Sequence, residues 1–283
     1  MTDTDVQAIK IIPLTTAIGA EVADVDLSAP LDDGVFDVIH QAFLDHQVLL
    51  FRGQNITPTQ QIIFTENFGP VMPHPLGARA NHPDDDKVLI LENKAGTRGA
   101  RNDFWHSDIS YSEHPPSLSF LHGVIIPEGR GDTMFCNMSR AWEGLSDGMK
   151  AQLTGMTASH SAEALRQRDL STASDGNTAA GVPAPVTHPV IRRHPETGRQ
   201  ALYVSKAYTT HFTDMNDDES SMLLDLLEAR ASAPENIYRH RWQAGDALMW
   251  DNRCVMHYAV YDYDADEPRR MQRTTAAGDR PAA

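Results

Sequence analysis

His106 and Asp108 stand one residue apart in the run Asn102-Asp103-Phe104-Trp105-His106-Ser107-Asp108, with Tyr111 just beyond. Side chains of an extended segment alternate, so this spacing aims an imidazole and a carboxylate at one point. A second imidazole, His257, follows the apolar run Ala247-Leu248-Met249-Trp250, which has the composition of a core strand. Two histidines and a carboxylate on one face hold iron(II) and leave positions open for dioxygen and a chelating cosubstrate. The same donors suit a hydrolytic zinc, and ligand types alone leave both chemistries standing. His160, His188, His194, His211 and His240 lack a comparable aromatic or apolar setting and read as hydrogen-bonded structural residues.

The elements that must carry these groups are mostly strands. Strand-like runs cover residues 9–12, 20–25, 47–51, 87–91, 117–126, 132–137, 201–204, 237–242 and 246–250. Several end at Gly, Pro, Asn or Asp turns, as an antiparallel sandwich requires. Helices interrupt them. One is capped by Asp32 or Asp33 and carries Val35, Ile39 and Phe43 on a stripe. Another opens at Thr57-Pro58 and runs to residues 64–68. Further helices are predicted near 141–149 and over 218–231, the latter with Asn216 and Glu219 as a capping box. Residues 161–186 are rich in Ser, Ala, Asp, Gly and Pro without a period, and read as a flexible cover over the site.

Bulk properties narrow the partners. The chain has 283 residues, 41% hydrophobic and 22% charged, with no internal repeat or low-complexity linker, which suits one soluble globular domain. The acidic start lacks a secretory pattern and no run approaches a membrane span, so the expected location is cytoplasmic. The two cysteines, Cys136 and Cys254, are then expected to be reduced thiols. A net charge of -15 argues against nucleic acid or an anionic membrane as partner. An anionic substrate would need a local cluster of arginines, and Arg269-Arg270-Met271-Gln272-Arg273 supplies one.

Several separated blocks occur together: Phe68-Gly69-Pro70 with His74-Pro75, Trp105-His106-Ser107-Asp108, Gly131-Asp132-Thr133, and His188-Pro189-Val190. They continue with His194-Pro195-Glu196-Thr197-Gly198, Trp250-Asp251-Asn252-Arg253, His257-Tyr258-Ala259, and Arg269 through Gly278-Asp279. In this order the chain resembles the taurine dioxygenase family of iron(II)- and 2-oxoglutarate-dependent dioxygenases. The resemblance implies a mainly β fold with flanking helices around a double-stranded β-helix (jelly-roll) core. It implies iron(II) on His106, Asp108 and His257, with 2-oxoglutarate and O2 as cosubstrates. Thr133 and Arg269 match the pair that holds the distal carboxylate of 2-oxoglutarate; a guanidinium suits that task because it donates two parallel hydrogen bonds.

His74, Asn102 and Arg273 match substrate contacts of the taurine enzyme, and Tyr111 and Tyr208 match aromatics near the substrate. Gly77 departs from the pattern, standing where that enzyme has a tyrosine. The implied reaction hydroxylates a small anionic substrate, first an organosulfonate such as taurine, releasing sulfite and an aldehyde, with succinate and CO2 as coproducts. The alternatives are the same chemistry on an alkyl sulfate, aryloxyalkanoate or other carboxylate and, from another class, a non-catalytic jelly-roll that binds a metal or anion. A carboxylate at Asp108 disfavours halogenation, which needs a small residue there. The resemblance also implies a homo-oligomer, a dimer or tetramer.

Overall fold

The computed structural model describes residues 9–73, 81–83, 85–93, 102–163, 183–264 and 266–283. In chain order the strands are β1 (Lys10–Pro13), β2 (Ala20–Ala23), β3 (Val48–Phe51), β4 (Asn81–His82), β5 (Asp85–Asn93), β6 (Leu118–Ile125), β7 (Thr133–Asn137) and β8 (Thr157–His160). They continue with β9 (Val186–Pro189), β10 (Ile191–Arg193), β11 (Gln200–Leu202), β12 (Thr209–Phe212), β13 (Ile237–His240), β14 (Ala247–Asp251), β15 (Val255–Ala259) and β16 (Arg269–Ala276). The helices are α1 (Asp33–His46), α2 (Pro58–Glu66), α3 (Met138–Glu143), α4 (Asp147–Leu153) and α5 (Asp217–Ala231).

Strands β3 and β14 are buried at every position, so both of their faces must be covered. Alternation explains how. Val48, Leu50, Leu248 and Trp250 point to one side, where they meet Phe135 of β7 and Val255 of β15. Leu49, Phe51, Ala247 and Met249 point to the other, against Ile39 and Phe43 of α1 and Phe64 of α2. Each such large side chain, fully buried, stabilises the fold by roughly 1.5–3 kcal/mol.

The large sheet has eight strands in the order β1-β2-β3-β14-β6-β16-β5-β4. Its inner face is covered by the short sheet β13-β7-β15, with β12-β8-β9 and the hairpin β10-β11 continuing that wall. All pairings are antiparallel except β2 with β3. Two largely antiparallel walls closed over one core, with α1 and α2 outside, make the jelly-roll. No helix among the described residues is long and apolar enough to cross a membrane. Both cysteines are free and buried.

Local chemistry sets the helix ends. Thr57 accepts from the Gln60 amide and the Gln60 side chain returns to the Thr57 amide; Asn216 and Glu219 do the same at α5. Such caps contribute about 1 kcal/mol each. Three expectations change. The helix expected near 141–149 is two helices, α3 and α4, because Ser146 accepts from Met149 N and starts a new one. His106 and Asp108 do not lie on a strand: His106 makes an isolated bridge to His257, and a turn from Asp108 to Tyr111 follows. In that turn Ile109 has φ 52°, which abandons strand geometry. Of the expected cover, residues 164–182 lie outside the described residues, and Val186 already belongs to β9.

Candidate active site

The bridge does what the strand spacing was expected to do. His106 N donates to His257 O at 3.0 Å and His257 N donates to His106 O at 2.8 Å, which places the two ring centroids 4.1 Å apart. The turn then brings Asp108 Oδ1 to 3.9 Å from His106 Nε2. One ligand atom from each of His106, Asp108 and His257 lies within 4.8 Å of the other two, and all three residues are buried. Burial, and then the neighbouring His106, holds the His257 imidazole down to about 3, so it is neutral and able to ligate. Burial alone would raise the Asp108 carboxyl. Arg273, both histidines and the Ser119 hydroxyl outweigh it and hold the group well below the usual carboxylate range.

Beside this trio lies a cavity of about 230 Å³ between the two walls, bounded by Leu121, Trp250 and Arg273 on one side and Thr133, His257 and Ala259 on the other. Arg269 and Arg273 share a face of β16 and both line it. Four residues of strand put them about 13 Å apart. Arg273 is the near one, donating from Nη1 to Asp108 Oδ1 at 2.9 Å. Arg269 is the far one. Its Nη2 donates to Gly131 O at 3.3 Å, its guanidinium lies 5.8 Å from the Tyr263 ring centre, and its buried Nε has no hydrogen-bond partner. Among the described residues no carboxylate pairs with it, and burial pushes its pKa down. A largely buried cation in that condition is stabilised by an incoming anion.

Thr133 completes that end. Trp242 Nε1 donates to Thr133 Oγ1 at 2.9 Å. An indole only donates, so the Thr133 hydroxyl keeps its own proton for a ligand in the cavity. Three observations thus fit the groups that the sequence implied. The donor set and its spacing fit a divalent metal. The uncompensated Arg269 with the Thr133 hydroxyl fits a carboxylate. The space between them fits a short linker.

Asn102 also lines the cavity, and its carbonyl accepts from Ala259 N at 3.1 Å. Tyr111 and Tyr208 do not line that cavity; they pack together with Ile109, Ala162, Ala207 and Phe104, beside His106. Their rings are 5.1 Å apart, and Phe104 and Tyr208 lie 4.8 and 5.9 Å from the His106 ring. Tyr111 is close enough to Arg273 and Asp108 to feel both charges, although burial dominates and raises its hydroxyl. Phe104 was not among the residues expected here; its place two residues before His106 in an aromatic run was the available signal. His74 and Gly77 lie outside the described residues.

A second buried trio, His194, Asp251 and Cys254, is equally close-set. Its carboxylate is already saturated. Asp251 Oδ1 accepts from Arg253 N and Nε at 2.9 and 2.8 Å, and Oδ2 accepts from Arg253 Nη2 and His194 Nε2, both at 2.8 Å. Burial raises the Cys254 thiol far above its ordinary value, which removes the thiolate a metal would need. Asp251, Arg253 and His194 instead form a hydrogen-bonded network that pins the turn between β14 and β15.

Known proteins resemble this chain over nearly its whole length. The family model for taurine catabolism dioxygenases, TauD and TfdA, matches residues 10–275. An alkylsulfatase of Acinetobacter baylyi is 34% identical, the match covering 96% of this chain and 86% of that protein. An alpha-ketoglutarate-dependent 2,4-dichlorophenoxyacetate dioxygenase of Cupriavidus pinatubonensis is also 34% identical, over 94% of this chain and 97% of the other. Among solved structures, a putative alpha-ketoglutarate-dependent taurine dioxygenase from Burkholderia xenovorans superposes with a TM-score of 0.84 at 33% identity, covering 98% and 95% of the two chains.

Proposed function

The chain belongs to the taurine catabolism dioxygenase family, TauD and TfdA, and from that premise we propose which of its residues do the work and on what kind of substrate. It is an iron(II)- and 2-oxoglutarate-dependent dioxygenase. In our reading, residues 1–283 form one catalytic domain in which His106, Asp108 and His257 hold the iron and Arg269 with Thr133 holds the distal carboxylate of 2-oxoglutarate. The observation that carries this is Arg269, a shielded cation with no carboxylate of the described residues in contact with it, at the end of a cavity that begins at His257. Bound there, iron(II) supplies dioxygen chemistry that couples oxidative decarboxylation of 2-oxoglutarate, to succinate and CO2, with hydroxylation of the substrate.

The protein's own contributions are electrostatic and geometric. Arg269 fixes one end of the cosubstrate and so sets where its keto-acid end reaches the triad. Arg273 stands beside Asp108 with a buried Nε that has no partner, and offers this donor to an anionic head group. Phe104, Ile109, Tyr111 and Tyr208 form an apolar wall around His106. The wall, with the relatives named for an alkyl sulfate and an aryloxyacetate, supports an anion with an apolar body over taurine. The substrate class we propose is therefore an alkyl sulfate or aryloxyalkanoate, hydroxylated at the carbon beside its ester or ether oxygen. A sulfonate is the second reading, favoured by the likeness to the Burkholderia structure.

The test is succinate formation from 2-oxoglutarate with iron(II) and oxygen, across alkyl sulfates, aryloxyalkanoates and sulfonates. Alkyl sulfates or aryloxyalkanoates should show kcat/KM at least about tenfold above taurine, a difference of about 1.4 kcal/mol in transition-state binding. Succinate that does not rise with any of these anions would sink the proposal.

Gly131 offers a separate check on the cosubstrate end. It has φ 72°, and a Cβ there would stand 2.9 Å from Arg269 Nε. Gly131→Ala should therefore push the guanidinium aside and raise the KM for 2-oxoglutarate about tenfold, with a smaller change in kcat. An unchanged KM would mean that Arg269 does not take the cosubstrate from this position.

A further inference from the structure

Asp108 does not stand alone in the wall. Its Oδ2 accepts from Ser119 Oγ at 2.6 Å, Ser119 Oγ accepts from Asn252 Nδ2 at 3.0 Å, and Asn252 Oδ1 accepts from Trp250 Nε1 at 3.0 Å. All four residues are buried: Ser119 and Asn252 at 0%, Trp250 at 1% and Asp108 at 4% exposure. The strands deliver them together because Trp250 of β14 is paired with Ser119 of β6, and Asn252 opens the turn that follows β14.

The chain of hydrogen bonds has one possible direction. An indole N–H cannot accept, so Asn252 must turn its carbonyl oxygen to Trp250 and its NH2 to Ser119. The Ser119 oxygen then accepts a hydrogen bond from the Asn252 NH2, and its own hydrogen is donated to Asp108 Oδ2. The polarity of the whole relay is set by its first member. A carboxylate oxygen bound this way, by a short charge-assisted bond in a dry setting, is poorly disposed to bind anything else.

We infer that Trp250, Asn252 and Ser119 are positioning residues that restrict Asp108 to one ligand oxygen, Oδ1, and thereby keep the remaining iron positions open. The inference rests on the reading of His106, Asp108 and His257 as the iron site. A carboxylate free to use both oxygens would take one of the places that the cosubstrate and dioxygen need. Oδ1 is the oxygen that faces His106, and its second lone pair is occupied by Arg273. Asn252 has a further hold on the same residue, since its Oδ1 lies 3.4 Å from Asp108 N, which donates to it.

Two variants and one structure test this. Ser119→Ala removes the last donor. Asn252→Asp keeps the volume and still accepts from Trp250, yet cannot donate to Ser119, so it breaks the polarity without opening a cavity. Each should weaken Mn(II) binding by calorimetry about 10- to 100-fold. Unchanged Mn(II) affinity in both, with melting temperatures near wild type, would overturn the inference. A crystal structure of the unaltered protein with Mn(II) should show Asp108 Oδ1 alone on the metal and Oδ2 still on Ser119; both oxygens on the metal would overturn it even if the variants failed to fold. The premise fails separately: no Mn(II) binding by the wild-type protein, or binding that Asp108→Ala leaves intact, would remove the iron site itself.

Discussion

Arg269→Met should abolish the response to 2-oxoglutarate while leaving the protein at least as stable as before. The two effects come from one fact. In the described structure Arg269 is held by a single long hydrogen bond to Gly131 O and by the face of Tyr263, and its Nε makes no bond at all. Desolvating a guanidinium without a carboxylate partner is unfavourable by several kcal/mol. Methionine fills similar volume without that penalty, so the melting temperature of the cosubstrate-free protein should stay level or rise. Binding goes the other way. A buried guanidinium–carboxylate pair broken on one side loses about 3–5 kcal/mol, which corresponds to roughly 100- to 1,000-fold or more in kcat/KM for 2-oxoglutarate. Thermal unfolding of wild type and variant, with and without 2-oxoglutarate and Mn(II), reads both. The wild type should gain stability on adding the pair and the variant should not. A variant that melts well below wild type would show that Arg269 holds the fold together instead of waiting for an anion.

What could be read from the chain, and what could not, follows from where each group finds its partner. His106, Asp108 and His257 stood out as candidates from their own aromatic and apolar settings, whereas Thr133 and Arg269 could be named only through the family resemblance. Strands β3 and β14 were legible as apolar runs, since they are covered on both faces and need no alternation, whereas β15 and β16, which carry His257 and Arg269, were not among the runs expected. Asn216 with Glu219 and Thr57 with Gln60 are local contacts, so those helix starts could be placed within a residue. The route by which His106 and Asp108 meet was misread. It depends on a backbone bridge to His257 and on a positive φ at Ile109, and neither leaves a mark in a strand-like composition. Ser119 was missed for a related reason. It is a small hydroxyl residue inside the apolar run Leu118–Leu121, and only the pairing of β6 with β14 gives it a purpose. A lone polar side chain pointing inward from such a strand was the signal available. The short strands β8, β9 and β12 pair with one another across long stretches of chain, and so had no local pattern strong enough to find.

Asp251→Ala should be among the most destabilising single changes in this protein, although Asp251 touches neither the cavity nor the proposed metal ligands. Its two oxygens take four hydrogen bonds, three of them from Arg253, and Arg253 Nη1 goes on to Glu196 at 2.6 Å. Removing the carboxylate leaves Arg253, only 7% exposed, with one half-exposed partner. Breaking such a pair from one side costs about 3–5 kcal/mol, and for a chain of this size that lowers the melting temperature by roughly 6–15 °C. The pH dependence has a definite sign. Burial alone would raise the Asp251 carboxyl, but Arg253 and His194 hold it below its ordinary value in the folded protein. A depressed carboxyl stabilises the fold fully above its unfolded pKa, near 3.9, and that contribution is lost as the pH falls through the lower folded value. The gap between wild type and variant should therefore be constant from about pH 5 upward and close below about pH 4. A metal held by His194, Asp251 and Cys254 predicts something else: Cys254→Ser would lower the metal content, and a chelator would lower the melting temperature of an Asp108→Ala protein. Neither should happen, because Arg253 already occupies the carboxylate that such a metal would need.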